Sequence, residues 1–279
     1  MHKNGIVFSD VDGTLCFHEK AHQIQKMNVN SDNTLTVKTV FSDTVFKVYD
    51  VSVSSYNVYL DIQTQKLGQK VKKIYDFIYV TGGRKKTFLS RINYLNFYNG
   101  VILENGGMIL DNELNIDTEW YNYLESDRKY LKEVRAQISA MDWIIDDEGR
   151  TSALRVRLKD NPHKSIEQFE KLCETIQLPV ELKKTKNLEN LDIILAKAGK
   201  DKAVQYWMDK NNFRKQQSIG IGDDINDIDF LRLTDRKFVL ASAYEEVLRT
   251  AKKEGWYVLS KPYFDGINEV LRKIVQLNF

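Results

Sequence analysis

The segment Asp10-Val11-Asp12-Gly13-Thr14 sets two carboxyl groups two residues apart, directly after a short apolar run. A carboxylate at the end of a strand can attack phosphorus and form an acyl-phosphate. A second carboxyl, across a turn that Gly13 permits, can protonate the leaving oxygen and later activate water. The two groups would need different environments: Asp10 kept ionised by a cation, Asp12 shielded enough to hold a proton. The competing reading is an ordinary Asx turn. A second acidic group, Gly222-Asp223-Asp224-Ile225-Asn226-Asp227, also follows an apolar run. Mg2+ prefers hard oxygen ligands and takes only one or two carboxylates from a protein. Asp10 and Asp223 would supply them, with Asp227 and Asn226 orienting the shell. The alternative here is an acidic helix N-terminus favoured by capping and the macrodipole. An EF-hand is excluded, because its Gly and final Glu are missing at the required offsets. Thr81 with Gly82, and Lys200 in Gly199-Lys200-Asp201, add a hydroxyl, backbone N–H groups and an ammonium. A transferring phosphoryl group needs such partners around its oxygens. Neither is informative alone; their order relative to the aspartates is what counts.

These groups need strands to carry them. Residues 5–9, 77–80, 101–103 and 218–221 are short apolar runs, followed in turn by Asp10, Thr81, Glu104 and Gly222. Consecutive rather than alternating apolar residues mark strands buried on both faces. They alternate with helical spacing, as at Phe88, Ile92 and Leu95. The pattern predicts a doubly wound parallel α/β sheet with helices on both faces and its site at the carboxyl ends of the strands. The middle differs. A long helix over 120–141, strands near 143–146 and 152–158, a helix over 164–176 and strands near 180–184 and 191–195 suggest an inserted α+β module. The predicted division is a core of 1–107 and 191–279 with a module at 108–190. Residues 34–60 alternate and are rich in Val, Thr and Tyr, which reads as two or three antiparallel strands forming a flap. They would cover the site or form a subunit contact.

Composition narrows the class. The chain has 279 residues, 41 Lys+Arg against 39 Asp+Glu, and 42% hydrophobic residues. That apolar share is enough for a buried core. Near-neutral balance speaks against nucleic acid as a partner, since phosphate-backbone affinity needs clustered positive charge. Two distant cysteines, Cys16 and Cys173, fit a reducing compartment. No run approaches the roughly 18 apolar residues that span a bilayer, and the N-terminus does not read as a signal peptide. A soluble, cytoplasmic protein without a membrane partner is the expectation, its oligomeric state open.

The ordered set DVDGTL, a Thr-Gly turn, a Lys before an Ala-Val helix and GDDIND resembles the haloacid dehalogenase (HAD) superfamily. The insert after ENGG looks like the α/β cap of its Cof-type branch. The resemblance implies that Asp10 is the nucleophile and Asp12 the general acid/base, with Thr81 and Lys200 holding the phosphoryl group. It implies Mg2+ held by Asp10, the backbone carbonyl of Asp12 and Asp223, with Asp227 as a further or outer ligand. Members are mostly phosphatases acting on sugar phosphates and related small phosphorylated metabolites. Three departures stand out: Thr81-Gly82-Gly83-Arg84 in place of Thr-Gly-Arg, Asp201 in place of Gly after the Lys, and the long 34–60 stretch.

The same residues admit other readings. A sugar phosphomutase shares every core motif, and a catalytically silent binding or regulatory protein shares the fold. Dehalogenation is disfavoured, needing no acid at Asp12. His18-Glu19-Lys20-Ala21-His22 matches the HExxH zinc pattern, but lies in a polar loop with no helical face to present both imidazoles. In the module, Arg155 and Arg157 stand at i and i+2 of a strand, hence on one face. They could grip a substrate, or simply be charges on a solvent face.

Overall fold

The computed structural model describes residues 3–53, 57–187 and 190–277. A seven-stranded sheet forms the centre. Its strands are β1 (Ile6–Ser9), β7 (Asp76–Val80), β8 (Gly100–Leu103), β9 (Met108–Leu110), β13 (Ser218–Gly222), β14 (Arg236–Val239) and β15 (Tyr257–Val258), in the order β15-β14-β13-β1-β7-β8-β9. All neighbours pair in parallel except β8 with β9. The four residues of β1 are all buried. They alternate between two apolar clusters: Ile6 and Phe8 face one, Val7 the other. Helices on both faces explain why the run is continuous rather than alternating.

On one face lie α1 (Ile62–Ile74), α2 (Lys85–Arg91) and α9 (Tyr263–Gln276). On the other lie α6 (Lys200–Lys210), α7 (Ile228–Leu233) and α8 (Glu245–Glu254). The strand-rich insert is larger than the 34–60 expected from sequence. It is a five-stranded antiparallel sheet of β2 (Phe17–His18), β3 (Ile24–Val29), β4 (Leu35–Thr39), β5 (Val45–Asp50) and β6 (Val58–Asp61), ordered β2-β6-β5-β4-β3; residues 54–56 lie outside the described residues. Its apolar side chains join the cluster of α1 and α9: the Phe264 ring meets Phe17 at 4.9 Å and Phe46 at 5.0 Å between centroids. The HExxH segment runs from β2 into a turn and is not helical.

The cap is a three-stranded antiparallel sheet of β10 (Ala153–Arg157), β11 (Leu182–Asn187) and β12 (Asn190–Leu195), ordered β10-β12-β11. Helices α3 (Thr118–Glu125), α4 (Arg128–Ser139) and α5 (Ile166–Thr175) accompany it. Ser165 and Gln168 form a capping box at the start of α5, satisfying two otherwise orphaned amides. Sheet membership shifts the expected boundaries at 108 and 190. Residues 108–110 pair into the large sheet, and 190–195 complete the cap sheet. The single helix expected over 120–141 is two. The chain turns at Ser126 and Asp127, where the buried Asp127 carboxylate accepts from Lys197 at 3.0 Å. The strand expected at 143–146 is a loop that gives β10 one backbone bond, Asp146 N–H to Arg155 C=O. Among the described residues no helix is long and apolar enough to cross a membrane.

Candidate active site

Strand order explains why distant residues meet. β13, β1 and β7 are neighbours running in parallel, so the loops after their carboxyl ends adjoin. The Asp10 N–H donates to the Ile221 carbonyl, tying the start of the loop after β1 to β13. Gly13 sits at φ 98°, and a Cβ there would collide with the Asp223 carboxylate. Only glycine lets the two acidic loops approach this closely. The Thr14 hydroxyl donates to Asp223 Oδ1.

One carboxylate oxygen each from Asp10, Asp223 and Asp227 lies within 4.8 Å of the others, and all three residues are buried. Lys200, at the first turn of α6, spans Asp10 Oδ1 at 2.7 Å and Asp227 Oδ1 at 2.6 Å. Burial alone would pull its ammonium down, but the two carboxylates more than offset that and hold it charged. Burial pushes the acids of Asp10 and Asp223 up, and the neighbouring carboxylates add to it. Asp227 Oδ2 accepts from the backbone N–H groups of Asp223 and Asp224. Both of its oxygens are therefore engaged, and its evident work is to hold the 223–227 loop. In these two acidic loops, Asp10 Oδ2 and Asn226 Oδ1 are buried without a partner among the described residues.

That donor set fits a hard divalent cation. Three crowded carboxylates outnumber one ammonium, and buried oxygens without donors are costly unless something positive meets them.

Asp12 does not join this group. Its side chain is one-third exposed and turned to the other side of the loop, onto Arg91 Nη1 at 2.6 Å, with His18 Nε2 at 3.6 Å. Burial would raise its pKa, yet Arg91 and then His18 outweigh it, leaving the carboxyl well below the usual range. The sequence-based expectation of a shielded Asp12 that holds a proton is thus corrected: a guanidinium keeps it ionised. Arg91 comes from α2, is itself buried, and also donates from Nε to the Val51 carbonyl at 3.0 Å. Nothing in the sequence marks it.

Thr81 directly follows β7 and is buried, its hydroxyl accepting from the Gly83 N–H at 2.9 Å. It lines a cavity of about 10 Å3 together with Asp12, Gly83 and Arg91. Gly82 lies against the Asn105 side-chain oxygen. Arg84 reaches the cap, at the Glu148 carbonyl (2.5 Å) and Asp146 (3.1 Å). Of the two cap arginines expected on one face, Arg155 grips Asp192 with two bonds of 2.7 and 2.6 Å. Arg157 pairs with Asp160 at 2.7 Å and lies 3.5 Å from Asp146. Neither stands free on a solvent face. Asp192 also accepts from Asn105, whose oxygen accepts from Asn226 at 3.4 Å. The cap is thereby connected to the acidic loop. Glu104, fully buried in the ENGG segment, receives the backbone N–H groups of Thr151 and Ser152 and the Ser152 hydroxyl, each at 2.9 Å. The ENGG motif flagged this segment, but isolated charges such as Asp192 and Arg150 carried no signal.

A parallel sheet with Asp10 at its central strand, an acidic loop on the neighbouring strand and an α/β cap inserted after β9 define a member of the HAD superfamily, of the Cof-type branch. Within that superfamily, the family model for sucrose-6F-phosphate phosphohydrolase matches residues 59–273, and the chain belongs to that family. A solved sucrose-phosphatase from Synechocystis sp. PCC6803, in complex with sucrose and phosphate, superimposes with TM-score 0.68 at 15% identity, covering 98% of both chains. A phosphoglycolate phosphatase from Staphylothermus marinus is 35% identical over 77 residues, 28% of this chain and 31% of the relative. A kanosamine-6-phosphate phosphatase from Bacillus subtilis is 25% identical over 122 residues, 41% of this chain and 42% of the relative. The chain thus spans less than half the length of these two curated relatives.

Proposed function

We propose that the protein is a Mg2+-dependent phosphomonoesterase that hydrolyses a small phosphorylated metabolite, a sugar phosphate in particular. The observation that carries this reading is Asp10: buried at the end of the central strand, one oxygen on Lys200 and the other without a partner beside Asp223. The family match and the likeness to a kanosamine-6-phosphate phosphatase support the substrate class.

Asp10 attacks phosphorus, the ester bond breaks, and the leaving oxygen takes a proton from Asp12, whose part-exposed carboxylate must first take that proton up from solvent against the hold of Arg91 and His18. In the second half Asp12, now anionic, removes a proton from the water that cleaves the aspartyl-phosphate. Arg91 stabilises that anionic form. Lys200, Thr81 and the Gly82 N–H receive the phosphoryl oxygens. Mg2+ held by Asp10, Asp223 and the backbone carbonyl of Asp12, with Asp227 behind them, would offset the repulsion between the attacking carboxylate and the phosphate.

A phosphate-release screen with Mg2+ over sugar phosphates, nucleotides, polyol phosphates and pyridoxal phosphate tests the reading. Release should occur without a bisphosphate activator, stop with EDTA and return with added Mg2+. Turnover that needs a bisphosphate would indicate a mutase; no turnover on any compound would leave a silent binding protein.

A further inference from the structure

Four arginines meet where the cap roofs the core, and three are committed to carboxylates. Arg155 holds Asp192, Arg84 holds Asp146, and Arg157 lies between Asp160 and Asp146. Arg150 has none. Its hydrogen bond is a single one, from Nη1 to the Gly82 carbonyl at 3.2 Å, and its Nε is buried without a partner. The acids around it are turned to other partners. Asp192 has Arg155 and Asn105, Asp146 has Arg84 and Arg157, and Glu104 gives Oε2 to the 151–152 backbone while its Oε1 stays buried without a hydrogen bond to Arg150 or any other described group. Burial, and then the neighbouring Arg155, pull the Arg150 guanidinium down to about 10. Asp192, Glu104 and Asp146 offset part of that through space, but none of them hydrogen-bonds the guanidinium, and buried donors left unmatched are costly.

The next two residues along the chain fix its position: Glu104 clamps Thr151 and Ser152 from the core side. Arg150 therefore stands on a short, anchored arm over Gly82, one residue past Thr81. The phosphoryl group in the proposed reading is already met by Lys200, Thr81 and Gly82. A guanidinium with unused donors beside that group is matched by another oxyanion, which its planar fork binds with two bonds.

We propose that Arg150 is the receptor for a second anionic group, a carboxylate or a further phosphate, carried by the substrate whose phosphoryl group reaches Asp10. This rests on the phosphatase reading and narrows it. A neutral-tailed sugar phosphate leaves Arg150 unmatched, whereas a phosphorylated sugar acid or hydroxy acid fills it. Arg155, spent on Asp192, positions the cap strand instead.

The test measures binding by calorimetry with Mg2+ present, on the Asp10→Asn protein so that turnover does not interfere. The probes are 6-phosphogluconate and sorbitol 6-phosphate, which differ in a carboxylate against a hydroxymethyl group, and likewise 3-phosphoglycerate and glycerol 3-phosphate. In at least one pair the acid should bind tighter, by roughly 10- to 100-fold, the range of a charge-assisted bond. Adding Arg150→Met should erase that preference, and Arg150→Lys should keep part of it, with far-UV circular dichroism confirming that both variants fold. Equal or absent binding in both pairs, a preference that survives Arg150→Met, or equal weakening of acid and alcohol would overturn the proposal. Phosphate release by the unmutated enzyme from the two alcohols is scored separately. It bears on the phosphatase reading, whereas the binding preference decides the role of Arg150.

Discussion

Asp10 and Asp12 are two residues apart and live in opposite surroundings. Asp10 is buried among acids, with one lysine and an unpartnered oxygen. Asp12 is part-exposed, bound to a guanidinium, and outside the carboxylate trio. Val11 between them is buried, and the two carboxyls meet different partners, Lys200 for Asp10 and Arg91 for Asp12. The Asp10 side is short of positive charge and the Asp12 side has it in full. A cation is needed at the first, and a movable proton at the second. Spacing in sequence fixes proximity, while neighbours contributed from remote segments fix the charge state.

The largest way to break this contrast is Asp10→Asn. It removes the nucleophile but not the volume, so phosphate release should become undetectable while the thermal unfolding profile stays cooperative. Retained turnover would end the nucleophile assignment. Asp12→Asn should cost roughly 10²–10⁴-fold, the usual worth of general acid–base help. The loss should be greater for an alkyl phosphate than for p-nitrophenyl phosphate, whose leaving group needs no proton. Equal losses on the two substrates would count against an acid at Asp12.

Arg91→Met sharpens the comparison at a smaller scale. It strips the partner from Asp12 and leaves the Val51 carbonyl without its side-chain donor, which should lower stability by about 1–3 kcal/mol. A double-mutant cycle in denaturant melts distinguishes the two sides. Arg91→Met with Asp12→Asn should be non-additive by about 0.5–3 kcal/mol, as for residues in contact. Arg91→Met with Asp10→Asn should add. Coupling of similar size in both cycles would mean that the two carboxyls share one environment after all.

The strand ends were legible because the chemistry sits where continuous apolar runs stop, and both signals reinforce each other at Asp10, Thr81 and Asp223. The cap strands were legible for the same reason, through buried runs such as Ile193, Ile194 and Leu195. Strand β3 escaped because it lies at a sheet edge with only its first residue buried, and the Met27 and Val29 that alternate with Lys26 and Asn28 are exposed. The break at 126–127 escaped because Leu124, Leu131, Val134 and Ile138 keep helical spacing across it. Arg91 and Arg150 escaped for another reason. A single arginine in a polar stretch looks like any solvated residue, and only the fold shows which carboxylate, or none, it meets.

The smallest expected effect lies on the Asp12 side of the molecule, in the second imidazole of the HExxH segment. His22 packs edge-on against Phe17 and Tyr263, each at 5.3 Å between ring centroids, and its Nδ1 accepts the His18 N–H at 2.9 Å. Burial pulls its pKa from 6.5 to about 4. A base whose folded pKa is depressed binds its proton less readily than in the unfolded chain. Folding therefore loses stability as pH falls from about 6.5 to about 4, and is unaffected above that window. With a discount for the ring's partial exposure, the loss is on the order of 1–2 kcal/mol. His22→Asn keeps an acceptor near Nδ1 but does not titrate, so its stability should change less over the same interval. Denaturant melts at pH 7, 5.5 and 4.5 on both proteins would check this. Parallel curves would show that the His22 ring takes up its proton freely, and that the flap holds onto the Asp12 loop more loosely than its packing indicates.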